Sequence, residues 1–164
     1  MSLRSPFVRA LALTVLIVLG LARPARADLT AFLGLSPTPD NHGARGFAAG
    51  LTMVVIGFEG EYSQILEDEI ESWPSLRTWS GNVFVQTPVE ISKVTPYATI
   101  GGGAYRERLG ETQETHLCVN VGGGAKIRLA GPFRVRLDYR VFTLRGSPLN
   151  STYQRFYVGA NLAF

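Results

Sequence analysis

Residues 156–164 read Phe156-Tyr157-Val158-Gly159-Ala160-Asn161-Leu162-Ala163-Phe164 and place an apolar side chain at every second position. Successive side chains of a β-strand point to opposite faces, so this segment has one apolar face and one face of smaller, more polar residues. The apolar face consists of Phe156, Val158, Ala160, Leu162 and Phe164. Such a face contacts either lipid or the dry core of a soluble protein, and the strand alone does not distinguish the two.

The N-terminal segment has the three parts of a secretory signal peptide. Arg4 and Arg9 form the basic part, Ala10–Ala22 is an uncharged apolar run, and Ala25-Arg26-Ala27 is a small-x-small cleavage motif. A membrane-anchoring helix is the alternative, but a spanning helix needs about 20 apolar residues and this run is shorter. We therefore predict a signal peptide at residues 1–27.

Cleavage after Ala27 changes the charge of the chain. The full sequence has 16 basic and 13 acidic residues, and the predicted signal peptide holds four of the arginines and none of the acids. The mature domain, residues 28–164, therefore has a net charge of about −1, which argues against nucleic-acid binding.

Cys118 is the only cysteine of the chain. No intrachain disulfide forms, even in an oxidising compartment.

Eight segments of the mature domain have strand character and are separated by clusters of Gly, Pro, Asn, Asp and Ser. They are Leu29–Ser36, Gly46–Thr52, Val55–Ser63, Trp79–Thr87, Thr95–Arg106, Thr115–Leu129, Phe133–Leu144 and Gln154–Phe164. Short connections alternate with longer polar ones at Pro37–Arg45, Gln64–Thr78, Glu107–Glu114 and Arg145–Tyr153. This alternation is typical of an all-β, eight-stranded antiparallel up-and-down transmembrane β-barrel. Which face of the first, second and fifth segments points inward stays ambiguous, because Gly and Ala dominate them.

The sixth and seventh segments alternate most clearly, with one aliphatic and one charged face. In a soluble barrel the charged face points to water, whereas in a membrane barrel it points into the lumen and the aliphatic face contacts lipid. The export signal, the alternating connections and the C-terminal aromatic residue favour the membrane arrangement. We therefore expect interior charges that fill a narrow lumen and leave no open diffusion pore, with some arginines reaching the rims. The residues expected to form these interior charges are Glu59, Glu61, Lys126, Arg128, Arg134, Arg136, Asp138 and Arg140, together with Arg155.

Three runs of the chain resemble the small outer-membrane β-barrel domains of the OmpA/OmpX-like superfamily: Pro96–Tyr105, Asn120–Lys126 and Arg136–Arg140. The resemblance covers essentially the whole mature chain and implies an outer-membrane location, a monomer and no cofactor. It also implies that the apolar residues of 156–164 are the signal read by the barrel-assembly machinery. The expected partners are that machinery, outer-membrane lipid and lipopolysaccharide, and the expected role is structural or surface-interacting rather than enzymatic.

Two alternatives stay open. His116 and Cys118 share one strand face, where a base and a thiol would suit a lipid-modifying enzyme, although no feature supplies a carboxylate to orient the histidine. The second alternative is a soluble periplasmic β-barrel that binds an apolar ligand at its centre.

The glycines at 101–103 and 122–124 indicate close backbone approach rather than a phosphate site. Two histidines and one cysteine do not make a zinc ligand set.

Overall fold

The computed structural model describes residues 26–37, 42–65, 75–109, 112–146 and 151–164. They form eight β-strands: β1 (Arg26–Ser36), β2 (His42–Met53), β3 (Ile56–Ile65), β4 (Ser75–Gln86), β5 (Val94–Leu109), β6 (Thr112–Ala130), β7 (Phe133–Leu144) and β8 (Thr152–Ala163). The described residues contain no helix that is long and apolar enough to cross a membrane. Apart from Arg26 and Ala27, the predicted signal peptide lies outside the described residues.

The strands form a closed barrel in which each strand pairs antiparallel with the next and β8 pairs with β1. The closing register runs from Asp28 opposite Ala163 to Leu35 opposite Phe156. Beyond it, the backbone N–H of each of Ala27 and Phe164 donates to the carbonyl of the other, at 2.8 and 2.9 Å. Closure leaves no unpaired strand edge. The predicted eight-stranded up-and-down architecture is confirmed.

β7 has the predicted bounds, and most other strands are longer than predicted. The largest difference lies in β5 and β6, which have 16 and 19 residues and pair as far as Leu109 opposite Thr112. The prediction of a connection at Glu107–Glu114 is therefore wrong. Polar side chains suggested a loop there, but pairing between two strands satisfies the backbone N–H and C=O groups whatever the side chains are. The connection predicted at Gln64–Thr78 is also shorter, because β3 ends at Ile65 and β4 begins at Ser75.

The barrel has two different ends. At the short-turn end, strands are joined by Val54–Val55, by residues 87–93 and by Gly131–Pro132. Within residues 87–93, Ser92 and Lys93 have φ angles of 51° and 69°, and two consecutive positive φ angles are what a tight two-residue hairpin turn requires. The opposite end, called the loop end below, carries the connections at residues 37–41, 66–74, 110–111 and 145–151.

Side chains alternate between the lumen and the outer surface along each strand. In β8, Arg155 and Tyr157 face the lumen and are buried, while Phe156 and Val158 face outward with 52 % and 57 % of their surface exposed. The structure also orients the strands that the sequence leaves ambiguous. Their buried, lumen-facing residues include Phe32, Ala48 and Tyr97, and their exposed ones include Leu33, Phe47 and Ile100.

Glycine allows close approach of neighbouring strands inside the barrel. Gly103 of β5 lies opposite Ser80 of β4, and a Cβ atom at Gly103 would collide with the backbone carbonyl of Trp79. A Cβ atom at Gly122 of β6 would meet the carbonyl of Tyr139 in the same way. Both glycine tracts therefore have the structural role that the sequence predicts.

The lumen is filled in layers. Near the loop end lies a cluster of buried, largely apolar side chains: Ala44, Ile65, Leu76, Tyr105, Cys118, Phe142, Leu144 and Tyr153. Within it, the rings of Phe142 and Tyr153 stack with their centroids 4.7 Å apart. Below this cluster, toward the short-turn end, the lumen holds charged side chains.

Candidate functional site

Two strands carry most of the charged side chains of the lumen. β7 presents Arg136, Asp138 and Arg140 at alternate positions, and β3 presents Glu59 and Glu61 in the same way. Because the side-chain period of a strand is two, each set lies on one face. Both faces point into the barrel, where all five residues are at most 4 % exposed. Tertiary structure thus joins groups such as Glu59 and Arg136, which are 77 residues apart in the sequence.

Arg140 lies at the centre of these contacts. Its Nε donates to Asp138 Oδ1 at 2.9 Å, its Nη2 donates to Glu59 Oε1 at 2.8 Å, and its Nη1 lies 3.1 Å from Glu61 Oε2. Arg136 donates to both oxygens of the same Glu59 carboxylate. Charges taken out of water are tolerated when they are paired and hydrogen-bonded in this way. We call this set, with Arg155, the central charge network.

Arg155 of β8 extends the central charge network toward the apolar cluster. Its Nη2 donates to Glu61 Oε1 at 2.5 Å. Its guanidinium carbon also lies 4.8 Å from the ring centroid of Phe142 and 5.1 Å from that of Phe32. A guanidinium between aromatic faces gains cation–π attraction where water is excluded. These rings therefore help to offset the cost of burying a residue that has no exposed surface.

Tyr97 of β5 is a member of the site that the sequence interpretation missed. Its hydroxyl donates to Asp138 Oδ2 and accepts a hydrogen bond of 2.8 Å from Arg136 Nε. The signal that would have revealed it is the alternation Thr95, Tyr97, Thr99, three buried positions on the lumen face of β5. The many alanines and glycines of that strand obscured this alternation.

A second buried pair lies closer to the short-turn end. Lys126 Nζ donates to Asp28 Oδ2 at 2.7 Å, and both residues are at most 4 % exposed. Asn161 Nδ2 lies 3.2 Å from Asp28 Oδ1 and donates to Thr30 Oγ1 at 2.9 Å. The sequence interpretation included Lys126 but missed Asp28, which was considered only as the first residue of the mature domain. The available signal was the position of Asp28 and Thr30 on either side of the outward-facing Leu29.

Two of the arginines expected inside the barrel lie at its rim. Arg128 Nε is 2.8 Å from Glu90 Oε2, and the Arg128 side chain is 51 % exposed. Arg134 Nη2 is 3.8 Å from the other oxygen of Glu90. Glu90 belongs to the connection between β4 and β5, so these contacts link that connection to the adjacent ends of β6 and β7 at the short-turn rim. The structure thus places Arg128 and Arg134 apart from the central charge network.

The charges of the lumen are balanced. Among the described residues, the buried acids and bases are four of each: Asp28, Glu59, Glu61, Asp138, Lys126, Arg136, Arg140 and Arg155. The set of charges expected from the sequence becomes neutral when Arg128 and Arg134, which lie at the rim, are left out and Asp28 is added. An eight-stranded barrel is just wide enough for side chains to fill its interior. Each of these eight side chains lies in an ion pair with another member of the set, and this neutral filling occupies the lumen.

His116 and Cys118 lie on the lumen side of β6. Cys118 is 1 % exposed and belongs to the apolar cluster, and the His116 ring is 6.1 Å from that of Tyr105. The thiol therefore has no access to lipid at the outer surface of the barrel. Throughout the described ranges, no three His, Cys, Asp or Glu side chains are grouped to hold a metal ion.

Every strand exposes large apolar side chains on the outer surface of the barrel. Large hydrophobic side chains that are exposed there include Leu29, Leu33, Leu35, Phe47, Leu51, Phe58, Trp79, Val83, Val85, Ile100, Leu117, Val119, Val121, Phe133, Leu137, Phe156 and Val158. A monomeric soluble protein rarely exposes a contiguous apolar patch of more than a few hundred Å². The distribution of polar and apolar residues is inverted relative to that of a soluble barrel, as expected for a transmembrane one.

No protein-family model and no curated protein matches the chain by sequence. Solved structures do match its fold, and the N-terminal β-barrel domain of Pseudomonas aeruginosa OprF aligns with a TM-score of 0.64 and 13 % identity over 87 % of this chain and 99 % of that domain. The fold is that of a small outer-membrane β-barrel.

Two further structures give the same result. Neisserial surface protein A aligns with a TM-score of 0.55 and 14 % identity, covering 85 % of this chain and 94 % of that protein. The Yersinia pestis outer-membrane protein Ail in a phospholipid bilayer nanodisc aligns with a TM-score of 0.54 and 13 % identity, covering 85 % and 99 % of the two chains. Identities this low relate the folds and assign no residue a role.

Proposed function

We propose that this chain is an integral outer-membrane protein with a structural or surface-interaction role, a closed lumen and no enzymatic activity. The observation that carries the proposal is the inverted wall, in which aliphatic side chains face outward and eight charged ones are enclosed. In water this arrangement would expose apolar surface on every strand, whereas in a bilayer that surface contacts acyl chains. Outer-membrane lipid and lipopolysaccharide are then the immediate surroundings of the barrel.

The proposal includes a route to the membrane. Residues 1–27 act as a signal peptide, and the outward residues of β8, from Phe156 to Phe164, act as the signal for the barrel-assembly machinery. Cleavage after Ala27 removes the pairing of Arg26 with Thr52 and of Ala27 with Leu51, together with the two backbone hydrogen bonds between Ala27 and Phe164. It leaves Asp28 in place for Lys126. N-terminal sequencing of the protein recovered from membranes is expected to begin at Asp28. An uncleaved start at Met1, or a start beyond Asp28 that removes the partner of Lys126, would contradict this part of the proposal.

Cell-envelope fractionation tests the location. The protein is expected in the outer-membrane fraction, and its gel mobility is expected to change between unboiled and boiled samples, because a closed barrel resists detergent until it is heated. Recovery of the mature chain from the periplasm without detergent would overturn the membrane assignment and favour the soluble-barrel alternative. The charged centre of the lumen already argues against a central apolar ligand.

The two remaining parts of the proposal are tested separately. In planar bilayers the purified barrel is expected to show no steady conductance, since the central charge network and the apolar cluster fill the lumen. In cells, His116→Ala and Cys118→Ala are expected to leave the composition of outer-leaflet lipid unchanged. A stable conducting state would contradict the closed lumen. An altered lipid profile in either variant would instead support the alternative that the barrel is a lipid-modifying enzyme.

A further inference from the structure

Three arginines line up on the outer surface near the loop end. Arg45 of β2, Arg77 of β4 and Arg106 of β5 each lie between two lumen-facing residues and therefore point outward. The strand registers place them in one row, since Arg45 pairs with Gln64 of β3, Gln64 pairs with Arg77, and Arg77 pairs with Arg106. We call Arg45, Arg77 and Arg106 the arginine row.

The arginine row has no acidic partner among the described residues. Arg106 Nε contacts Thr115 Oγ1 at 3.4 Å, and its guanidinium lies 5.7 Å from the centre of the Trp79 ring. Arg77 and Arg106 are directly opposite each other, and like charges in that position destabilise a sheet. The described residues therefore leave the charge of the row uncompensated, and an anion bound at the outer surface would neutralise it.

An apolar surface continues from the arginine row toward the middle of the barrel. The next outward residues on β2, β3 and β4 are Phe47, Tyr62 and Trp79. The ring centroid of Tyr62 lies 5.4 Å from that of Phe47 and 5.4 Å from that of Trp79. Below these rings, Gly60 and Gly81 are paired and face outward, and a Cβ atom at either would meet nothing within 4 Å. The two glycines thus form the floor of an open groove on the outer surface of the barrel.

We infer that the arginine row binds the phosphates of an outer-leaflet lipid that carries two phosphate groups, the lipid A portion of lipopolysaccharide, with an acyl chain in the groove over Gly60 and Gly81. Neighbouring strands lie about 4.8 Å apart, so Arg77 and Arg106 reach one phosphate, and Arg45, two strands away, is placed about 10 Å along for a second. Guanidinium groups bind phosphate oxygens in bidentate fashion. The inference rests on the proposed function. In an outer-membrane barrel the longer loops lie on the extracellular side and the short turns on the periplasmic side, so the loop end faces the outer leaflet.

Native mass spectrometry of the folded barrel in detergent micelles tests the inference, with diphosphoryl lipid A as the probe. The wild type is expected to retain one lipid A molecule, and Arg77→Gln and Arg106→Gln are each expected to weaken binding by about tenfold, the size of one lost charge-assisted hydrogen bond. Arg145→Gln is the matched control, because it removes an exposed charge from the same end outside the row. It is expected to change binding less than twofold.

The lipid arms of the test identify what is recognised. Dephosphorylated lipid A is expected to bind at least tenfold more weakly than the diphosphoryl form, and inorganic phosphate is expected not to compete, since the acyl chain contributes. Gly81→Leu is expected to fold and to weaken lipid A binding by filling the groove. Equal binding of phosphorylated and dephosphorylated lipid, or equal effects of Arg77→Gln and Arg145→Gln, would overturn the inference.

Heat-modifiable gel mobility is measured for every variant. If Arg77→Gln does not fold, Arg77→Lys replaces it, because lysine keeps the charge but loses the bidentate geometry, and an intermediate loss of binding is then expected. Failure of the inference is distinguishable from failure of the proposed function. In the first case the barrel is folded in membranes without a phosphate preference, and in the second the chain is soluble without detergent.

Discussion

The two faces of a single strand show how this barrel is built. In β7, Arg136 and Arg140 are buried in ion pairs, while Leu137 between them is 41 % exposed on the outer surface. One step along the chain thus exchanges a paired, dry charge for an exposed aliphatic side chain. Charged residues are buried and hydrophobic residues are exposed here, because the solvent on the outer face is proposed to be hydrocarbon. The interior is consequently held by electrostatic pairing, and the exterior by lipid.

The central charge network also differs from the ion pairs at the short-turn rim. Arg140 contacts three carboxylates without exposure to solvent, whereas Arg128 meets Glu90 with half of its side chain exposed. Solvent screens the rim pair and also hydrates either partner when the other is lost. Inside the barrel, loss of one partner leaves a buried charge without compensation.

The largest expected effect comes from breaking this network. Glu59→Gln leaves Arg136 and Arg140 short of a carboxylate, and we expect the free energy of unfolding to fall by about 3–5 kcal/mol. Urea titration of the barrel in lipid vesicles, followed by gel mobility, measures the change. Glu90→Gln at the rim is the control and is expected to cost less than about 1 kcal/mol. Equal losses in the two variants would show that the interior charges are hydrated rather than dry.

A charge on the outer face tests the other side of the comparison. Val158→Arg, near the middle of β8, is expected to destabilise the barrel in vesicles by about 2–4 kcal/mol, while Leu129→Arg, at the short-turn end of β6, is expected to cost about 0–1 kcal/mol. Both side chains are more than half exposed. On a water-exposed surface both substitutions would stay within about 0.5 kcal/mol. The same vesicle titration therefore reports directly which face meets lipid.

The smallest expected effect contrasts two glycines on opposite faces. Gly103→Ala directs a methyl group at the carbonyl of Trp79, and we expect a loss of about 1–3 kcal/mol from the forced shift. Gly81→Ala points into open space, and replacing a strand glycine there is expected to add about 0.5–1 kcal/mol. Thermal shifts of gel mobility rank the two variants against the wild type. A loss in Gly81→Ala would show that the outer groove is already filled by the barrel itself.

Local patterns predicted much of this structure. The alternation of Phe156 through Phe164 correctly grouped the residues of β8 into two faces, and the predicted bounds Phe133–Leu144 of β7 agree with the structure. Both predictions rest on the side-chain period of two, which is a property of the strand alone. The polar residues around Glu107–Glu114 misled the same reasoning, because side-chain polarity says little about backbone pairing across a long hairpin.

What the sequence by itself determined is the class of fold, since strand periodicity and turn residues are encoded within a few neighbouring positions. The prediction that the faces are inverted came from the export signal, the alternating connections and the C-terminal aromatic residue taken together. Only the tertiary structure decided which charges meet. Asp28 reaches Lys126 across 98 residues, and the irregular register after Arg128 accompanies its position at the rim beside Glu90. These partners depend on the stagger and closure of all eight strands, a global geometry that no local pattern specifies.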